Sequence, residues 1–360
     1  MNYLSKIKSL PAILLLFATL GCGTTRKIQE HVVPFLDTLV STTIEQIDAS
    51  PLSILHQPTV VHLPYHNNTA AAATPSTWQQ QLQQRLDTLC NQPLFSYTRL
   101  ALCVYDLTED AMLYSVNAEQ RMRPASNMKL VTAITALDLL GPDHVYTPVV
   151  KSPGWGWCWD DEETGITDFG FKGKRKAPDM LYAESKPRRL GDILIPMMKQ
   201  SDNMLAESMF WQLPDTAVAE PTRKDCAAPV QALIQRLGLE PSLYTIADGS
   251  GVSLYNYLSA QLLLRLLQHA YHTSPIYAAL YPTLPIAGVD GTLRNRMKDT
   301  PAQGNVHAKT GTVTGVSSLS GYCTHPSGHQ LCFSIINQGI PSSSLGRNFQ
   351  DQVCVALTTP

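Results

Sequence analysis

The chemistry in this chain is concentrated in three short segments: Ser126-Asn127-Met128-Lys129, Ser201-Asp202-Asn203 and Lys309-Thr310-Gly311. In order they supply a nucleophile, a base, a proton shuttle and an anion site, with no histidine among them. A serine and a lysine three residues apart in a first helical turn lie on one face, so Ser126 Oγ and Lys129 Nζ come within reach of each other. A helix N-terminus favours a nearby anion and disfavours a nearby cation. Both effects push toward an alkoxide-like serine and a neutral lysine. A free lysine titrates at about 10.4, and bringing it down to about 7 costs roughly 4 kcal/mol. Burial and a second cation can supply that, and Lys309 is the candidate cation. Proton removal from Ser126 then needs no imidazole.

Ser201-Asp202-Asn203 stands between two predicted helices, where all three residue types cap well. Ser201 is placed to relay a proton between Lys129 and a leaving amine. Asn203 is placed to hold the Lys129 side chain and a substrate amide. Asp202 points away in this reading and is structural. Lys309-Thr310-Gly311-Thr312 opens the strand-rich end. Strand alternation puts Lys309 and Gly311 on one face, Thr310 and Thr312 on the other. Lys309 with a threonine hydroxyl can bind a terminal carboxylate. Gly311 lets a substrate backbone lie close along the strand. The N–H groups of Ser126 and Thr312 can form an oxyanion hole. Each motif is weak alone: Ser5 to Lys8 repeats the first spacing and Ser115 to Asn117 the second.

The elements that must position these groups show in the pattern of apolar residues. Trp78, Leu82, Leu86 and Leu89 recur at helical spacing. Leu100 to Leu107 and Ala111 to Val116 are apolar strands around a Thr108-Glu109-Asp110 turn. Met128 to Leu140 predicts a helix closed by Gly141-Pro142. Further helices are predicted over Leu190 to Lys199, Met204 to Leu213, Pro229 to Leu237 and Ser259 to Tyr271. Val306 to Thr312, Val316 to Cys323 and Gln330 to Asn337 are predicted strands, and a last helix runs from about Leu345 to Leu357. Residues 151 to 188 are irregular, with Trp155, Trp157 and Trp159. Strands at both ends and helices between them predict an α+β fold. An antiparallel sheet is flanked by the N- and C-terminal helices and carries a helical subdomain, with a cleft where the two regions meet.

The chain has 360 residues, 44% of them hydrophobic, enough for a packed core. A net charge of -2 argues against nucleic acid as a partner. Residues 1–22 read as a secretory signal: Lys6 and Lys8, then an apolar run from Leu10 to Leu20 too short to span a bilayer. Gly21-Cys22 resembles the end of a bacterial lipobox, in which the Cys is lipidated. Thr19 stands where a Leu is usual, and plain cleavage is the alternative. Either way the protein is expected to be exported, with any membrane attachment made through Cys22. Residues 23–75 read as a flexible tether of about 40 Å mean span, followed by one domain over 76–360. Seven cysteines follow Cys22, an odd number that leaves at least one thiol unpaired within the chain. Cys323 and Cys332 flank Pro326-Ser327-Gly328 symmetrically, so either a cross-strand bond or two buried thiols fits. No Cys or His spacing suggests a metal site, and no cofactor is expected.

The ordered trio is shared by serine β-lactamases and penicillin-binding proteins. Its surroundings narrow the choice. Pro196-Met197-Met198-Lys199-Gln200 precedes Ser201, and Met204-Leu205-Ala206-Glu207 follows Asn203. Asp248-Gly249-Ser250-Gly251 comes with Ser253 and Asn256. Leu284 to Leu293, Val306 to Tyr322 and Trp159-Asp160-Asp161 complete the set. With these the chain resembles a class C low-molecular-weight penicillin-binding protein of the S13 peptidase family over roughly residues 77–357. Those proteins are D-alanyl-D-alanine carboxypeptidases and endopeptidases.

The resemblance implies a serine β-lactamase/DD-peptidase-like fold. It also implies a periplasmic enzyme that cleaves peptidoglycan stem peptides through an acyl-enzyme and is inhibited covalently by β-lactams. Ser126, Lys129, Ser201, Asn203 and Lys309 would be catalytic, and Thr310, Gly311 and Thr312 would bind substrate. A β-lactamase and a silent peptidoglycan-binding lipoprotein are the alternative readings. The family typically inserts well over a hundred residues between the first two motifs. Here 71 residues separate Lys129 from Ser201, with the shortened insert at 151–188.

Overall fold

Residues 77–146, 149–151, 181–183, 187–214 and 221–360 are described by the computed structural model of the chain. The signal segment with Cys22, the tether, and residues 152–180 with Trp159-Asp160-Asp161 lie outside the described residues. Helix α1 (Thr77–Cys90) leads into strands β1 (Arg99–Asp106) and β2 (Ala111–Val116), and then helix α2 (Met128–Leu140). Two short ribbons follow, β3 (Val145–Tyr146) with β6 (Arg188–Arg189), and β4 (Val149–Lys151) with β5 (Leu181–Ala183). Helices α3 (Leu190–Lys199), α4 (Asn203–Phe210), α5 (Arg223–Arg236), α6 (Ala260–His272) and α7 (Ser274–Leu280) come next. Strands β7 (His307–Val313), β8 (Val316–Thr324) and β9 (Gln330–Gln338) precede the last helix, α8 (Ser343–Leu357).

Five strands pair antiparallel in the order β2-β1-β9-β8-β7. The N-terminal hairpin therefore docks on the C-terminal strands, and β7 is an edge. Successive strand residues face opposite sides, and the two sides bury different partners. Leu100, Leu102, Val104, Leu319, Phe333 and Ile335 pack with residues of α1 and α8. Ala101, Cys103, Tyr322, Cys332 and Ile336 pack under the helical subdomain. At the centre of that subdomain, α2 is buried without a break from Met128 to Leu137. A helix that is apolar on all sides is a core element, so the residues at its start have a rigid mount.

Register decides the cysteine question. Thr324 pairs with Gln330, Cys323 with Leu331 and Tyr322 with Cys332. The turn centres on Ser327, so Cys323 and Cys332 are one position out of register and point to opposite faces. Both are buried free thiols, and burial raises the pKa of each. The symmetric spacing therefore makes no cross-strand bond.

Pro229 also departs from expectation. It reads as a helix start, yet α5 begins at Arg223, where Thr222 and Asp225 cap each other in a capping box. α7 gave no sequence signal; it is a seven-residue helix with Pro275 in its first turn.

Candidate active site

Ser126 lies in a single 3-10 turn, Ala125–Asn127, at the entrance to α2. Several groups fix that turn against the sheet. The Pro124 carbonyl accepts from Ser318 Oγ at 2.6 Å. The buried Asn127 side chain spans two strands in the orientation that satisfies both its ends. Its Nδ2 donates to the Lys309 carbonyl at 2.6 Å and its Oδ1 accepts from Ser320 Oγ at 3.0 Å. Ala125 sits in the left-handed region at φ 47, as does Ser201 at φ 60. Such conformations cost about 1–3 kcal/mol each and persist only where their surroundings enforce them.

Around Ala125 the close neighbours are two glycines, Gly251 and Gly311. A β-carbon at Gly311 would meet Ser318 Oγ at 2.2 Å, the Pro124 carbonyl at 2.9 Å and the Ser126 nitrogen at 2.9 Å. The space at Gly311 is thus taken first by Ser318 Oγ and then by the turn that carries Ser126, a demand the sequence did not reveal.

Lys129 is fully buried. Its Nζ donates to Ser126 Oγ at 3.1 Å, Asn203 Oδ1 at 2.7 Å and the Ser250 carbonyl at 2.7 Å. Burial lowers its pKa to about 8, against the opposing pull of Asp248, Glu207 and Asp202. Lys309 is also fully buried. Its Nζ donates to Ser201 Oγ at 2.9 Å and to the Thr310 carbonyl at 2.8 Å. Burial, then the charge of Lys129, holds it well below the usual lysine range. The two lysines face the same small region, but the depression of Lys129 comes from desolvation and that of Lys309 partly from its neighbour.

The three motifs therefore meet. Ser126 and Lys129 come from the start of α2, Ser201 and Asn203 from the α3–α4 junction, and Lys309 from the edge strand. Asp202 turns away and caps α4, accepting from the Leu205 N–H at 3.1 Å. Thr310 faces the other side, where its hydroxyl lies 2.7 Å from that of Thr292. Thr312 is exposed. The Ala308 N–H donates outward to the Pro285 carbonyl at 2.9 Å. Antiparallel alternation then sends the amides of Thr310 and Thr312 to the same open edge, beside Ser126. The second S-x-N lies on the opposite sheet edge, with Ser115 in β2.

Residues with no assigned role in the sequence complete the site. Glu207, buried on α4, accepts from the Ser250 N–H at 2.7 Å and the Gly249 N–H at 3.3 Å. Asp248 accepts from the Gly251 N–H at 2.7 Å, the Ser253 N–H at 2.6 Å and Asn256 Nδ2 at 2.6 Å. Thr132 Oγ1 donates to the Gly249 carbonyl at 2.7 Å. These bonds present the Ser250 carbonyl to Lys129. The signal for Glu207 was a single acid within Met204-Leu205-Ala206-Glu207-Ser208-Met209-Phe210, four residues after Asn203 and so on its face. Among the described residues no cluster of three or more His, Cys, Asp or Glu could hold a metal.

The chain is similar to known proteins. Over 206 residues the chain is 35% identical to the D-alanyl-D-alanine carboxypeptidase of Actinomadura sp. (strain R39), covering 54% of this chain and 38% of that protein. It is 32% identical over 184 residues to the D-alanyl-D-alanine carboxypeptidase DacB of Haemophilus influenzae, covering 49% and 38%. The chain thus spans well under half the length of these curated relatives.

Among solved structures, it superposes on penicillin binding protein 4 (dacB) of Haemophilus influenzae with a TM-score of 0.59. That match has 19% identity and covers 76% of this chain and 98% of the other. A class A β-lactamase of Bacteroides cellulosilyticus gives a TM-score of 0.54 at 15% identity, covering 79% and 98%. These two likenesses establish the serine β-lactamase/DD-peptidase fold. Residues 82–156 and 163–359 match the D-Ala-D-Ala carboxypeptidase 3 (S13) family, and the chain belongs to that family.

Proposed function

We propose that this chain is a serine-type D-Ala-D-Ala carboxypeptidase acting on peptidoglycan stem peptides through an acyl-enzyme. The observation that carries the reading is the position of Lys129 Nζ, buried and 3.1 Å from Ser126 Oγ. Neutral Lys129 takes the Ser126 proton as Oγ attacks the carbonyl carbon of the penultimate D-Ala. The developing oxyanion is received by the N–H groups of Ser126 and Thr312. Collapse breaks the C–N bond. Ser201 Oγ already accepts from Lys309, so its own proton is free for the leaving amine, and Lys129 resupplies it. Water then gives a proton to Lys129 as it attacks the ester carbon, and Lys129 returns that proton to Ser126 Oγ as the acyl C–O bond breaks, which frees Ser126 and restores neutral Lys129.

Lys309 and a threonine hydroxyl hold the C-terminal carboxylate. An arriving carboxylate favours the charged form of Lys309. Substrate binding would thereby restore the cation that burial suppresses, and that cation in turn would favour the neutral form of Lys129.

The same proposal places the enzyme outside the cytoplasmic membrane, tethered through Cys22, with β-lactams as covalent inhibitors. It extends to endopeptidase cleavage of cross-linked stems, which uses the same steps. Digestion of pentapeptide and cross-linked muropeptides, read by mass spectrometry, tests it. Loss of one D-Ala per pentapeptide is expected, and cleaved cross-links would show the endopeptidase activity. No D-Ala release, or steady turnover of nitrocefin in its place, would overturn the reading.

A further inference from the structure

Two of the three oxygens around Lys129 Nζ, Asn203 Oδ1 and the Ser250 carbonyl, can only accept hydrogen bonds. A neutral lysine keeps two N–H donors and one lone pair. With both donors committed to those oxygens, the lone pair is left facing the Ser126 hydroxyl. The placement of two carbonyl oxygens therefore aims the base. One face of α4 sets both. Asn203 opens the helix, and Glu207 stands four residues later on the same face. The Glu207 carboxylate, 1% exposed, holds the Ser250 and Gly249 N–H groups. Asp248 holds the Gly251 N–H on the far side of Ser250.

We propose that Glu207 is a positioning residue for Lys129: it fixes Ser250 so that the lysine lone pair points at Ser126, and its charge sets the pH range in which that lone pair is available. The inference rests on the reading of Lys129 as the base. Lys129 is faced by Asp248 from the 247–256 loop, Glu207 from α4, Asp202 from the cap of α4 and Lys309 from β7. Glu207 is faced by Asp248 and by the Cys226 thiol of α5. Burial and the Asp248 charge push the Glu207 carboxyl up, and the hydrogen bonds it accepts from Ser250 and Gly249 pull it back toward the carboxylate. A carboxylate beside Lys129 favours the ammonium, so removing it lowers the pH at which the amine is free.

The test compares the pH dependence of acylation by a fluorescent penicillin in wild type and Glu207→Gln. The expected midpoint falls by about one pH unit in the variant, and the maximal rate falls about tenfold as Ser250 loses an anchor. A merely structural role would lower the melting temperature and leave the midpoint in place. An unmoved or raised midpoint overturns the proposal.

Lys129 is also read without activity, by NMR of protein labelled with [13Cε]-lysine, where its titration should move in the same direction. An unlabelled wild type would refute the peptidase reading while this titration still decides the role of Glu207. Glu207→Asp keeps the charge and shortens the reach. It should lower the maximal rate with the midpoint within a few tenths of a unit of wild type, and a full-rate Glu207→Asp enzyme would count against the positioning role.

Discussion

Gly251 lies so close under Ala125 that a β-carbon there would stand 1.8 Å from the Ala125 carbonyl oxygen. Gly251 has φ +84 and Ala125 has φ 47, so two left-handed residues brace each other immediately before Ser126. Gly251→Ala adds both a backbone penalty and a clash that cannot be relieved without moving Ser126. The expected loss is about 3 kcal/mol of stability, read from the urea midpoint, together with a large fall in penicillin labelling. A variant with wild-type stability and labelling would show that the turn tolerates displacement.

Asn127→Ala should be costly for a different reason. The side chain it removes satisfies the Lys309 carbonyl and the Ser320 hydroxyl in a buried position. Ser320 Oγ keeps its bond to Ser334 Oγ at 2.8 Å, so the loss falls mainly on the Lys309 carbonyl, and destabilisation of about 1–3 kcal/mol is expected by urea unfolding. Acylation should slow as well, because the strand carrying Lys309 loses its tie to the turn carrying Ser126.

The rate of acylation should rise with pH through about 8. The sign follows from the base: only neutral Lys129 can take the Ser126 proton, and burial brings its deprotonation down to about 8. Single-turnover labelling across that range reads the midpoint directly. Lys129→Met should lower the rate roughly 10²- to 10⁴-fold and remove the rise.

Stability carries the same signature. Lys129 titrates at about 8 when folded against 10.5 when free. Between those values the unfolded chain holds one more proton than the folded one, so this group makes the folded state gain stability as pH rises. The difference in unfolding free energy between wild type and Lys129→Met should shift toward wild type by about 3 kcal/mol over that window. Taking the difference cancels the buried thiols and phenols, whose raised values act in the opposite direction.

The site was legible where chemistry depends on residue type and short spacing. Ser126, Lys129, Ser201, Asn203 and Lys309 were readable because each motif fits within one turn or one strand. Helices such as α2 and α6 were readable because their apolar faces and caps, Ser259 among them, are local. What stayed hidden depends on contacts between distant segments. The demand for glycine at 251 comes from a turn more than a hundred residues away in sequence, and that at 311 from the same turn together with Ser318 on the neighbouring strand. Glu207 and Asn127 look like an ordinary helix acid and a cap residue until β7 and the 247–256 loop are brought to them. Pro229 misplaced the start of α5 because proline is the usual sign of a first turn, whereas here the Thr222 capping box outranks it. Of the two outcomes left open for Cys323 and Cys332, the buried thiols hold, and the cross-strand bond misses by one position of register that symmetry in sequence cannot resolve.

The central claim is that Ser126 is the nucleophile and Lys129 its base. Its most direct test is peptide mass spectrometry of the protein after incubation with penicillin. The account predicts one penicilloyl group per chain, located on Ser126, absent in Ser126→Ala and strongly reduced in Lys129→Met. Labelling at another residue, or undiminished labelling of Ser126→Ala, would contradict it.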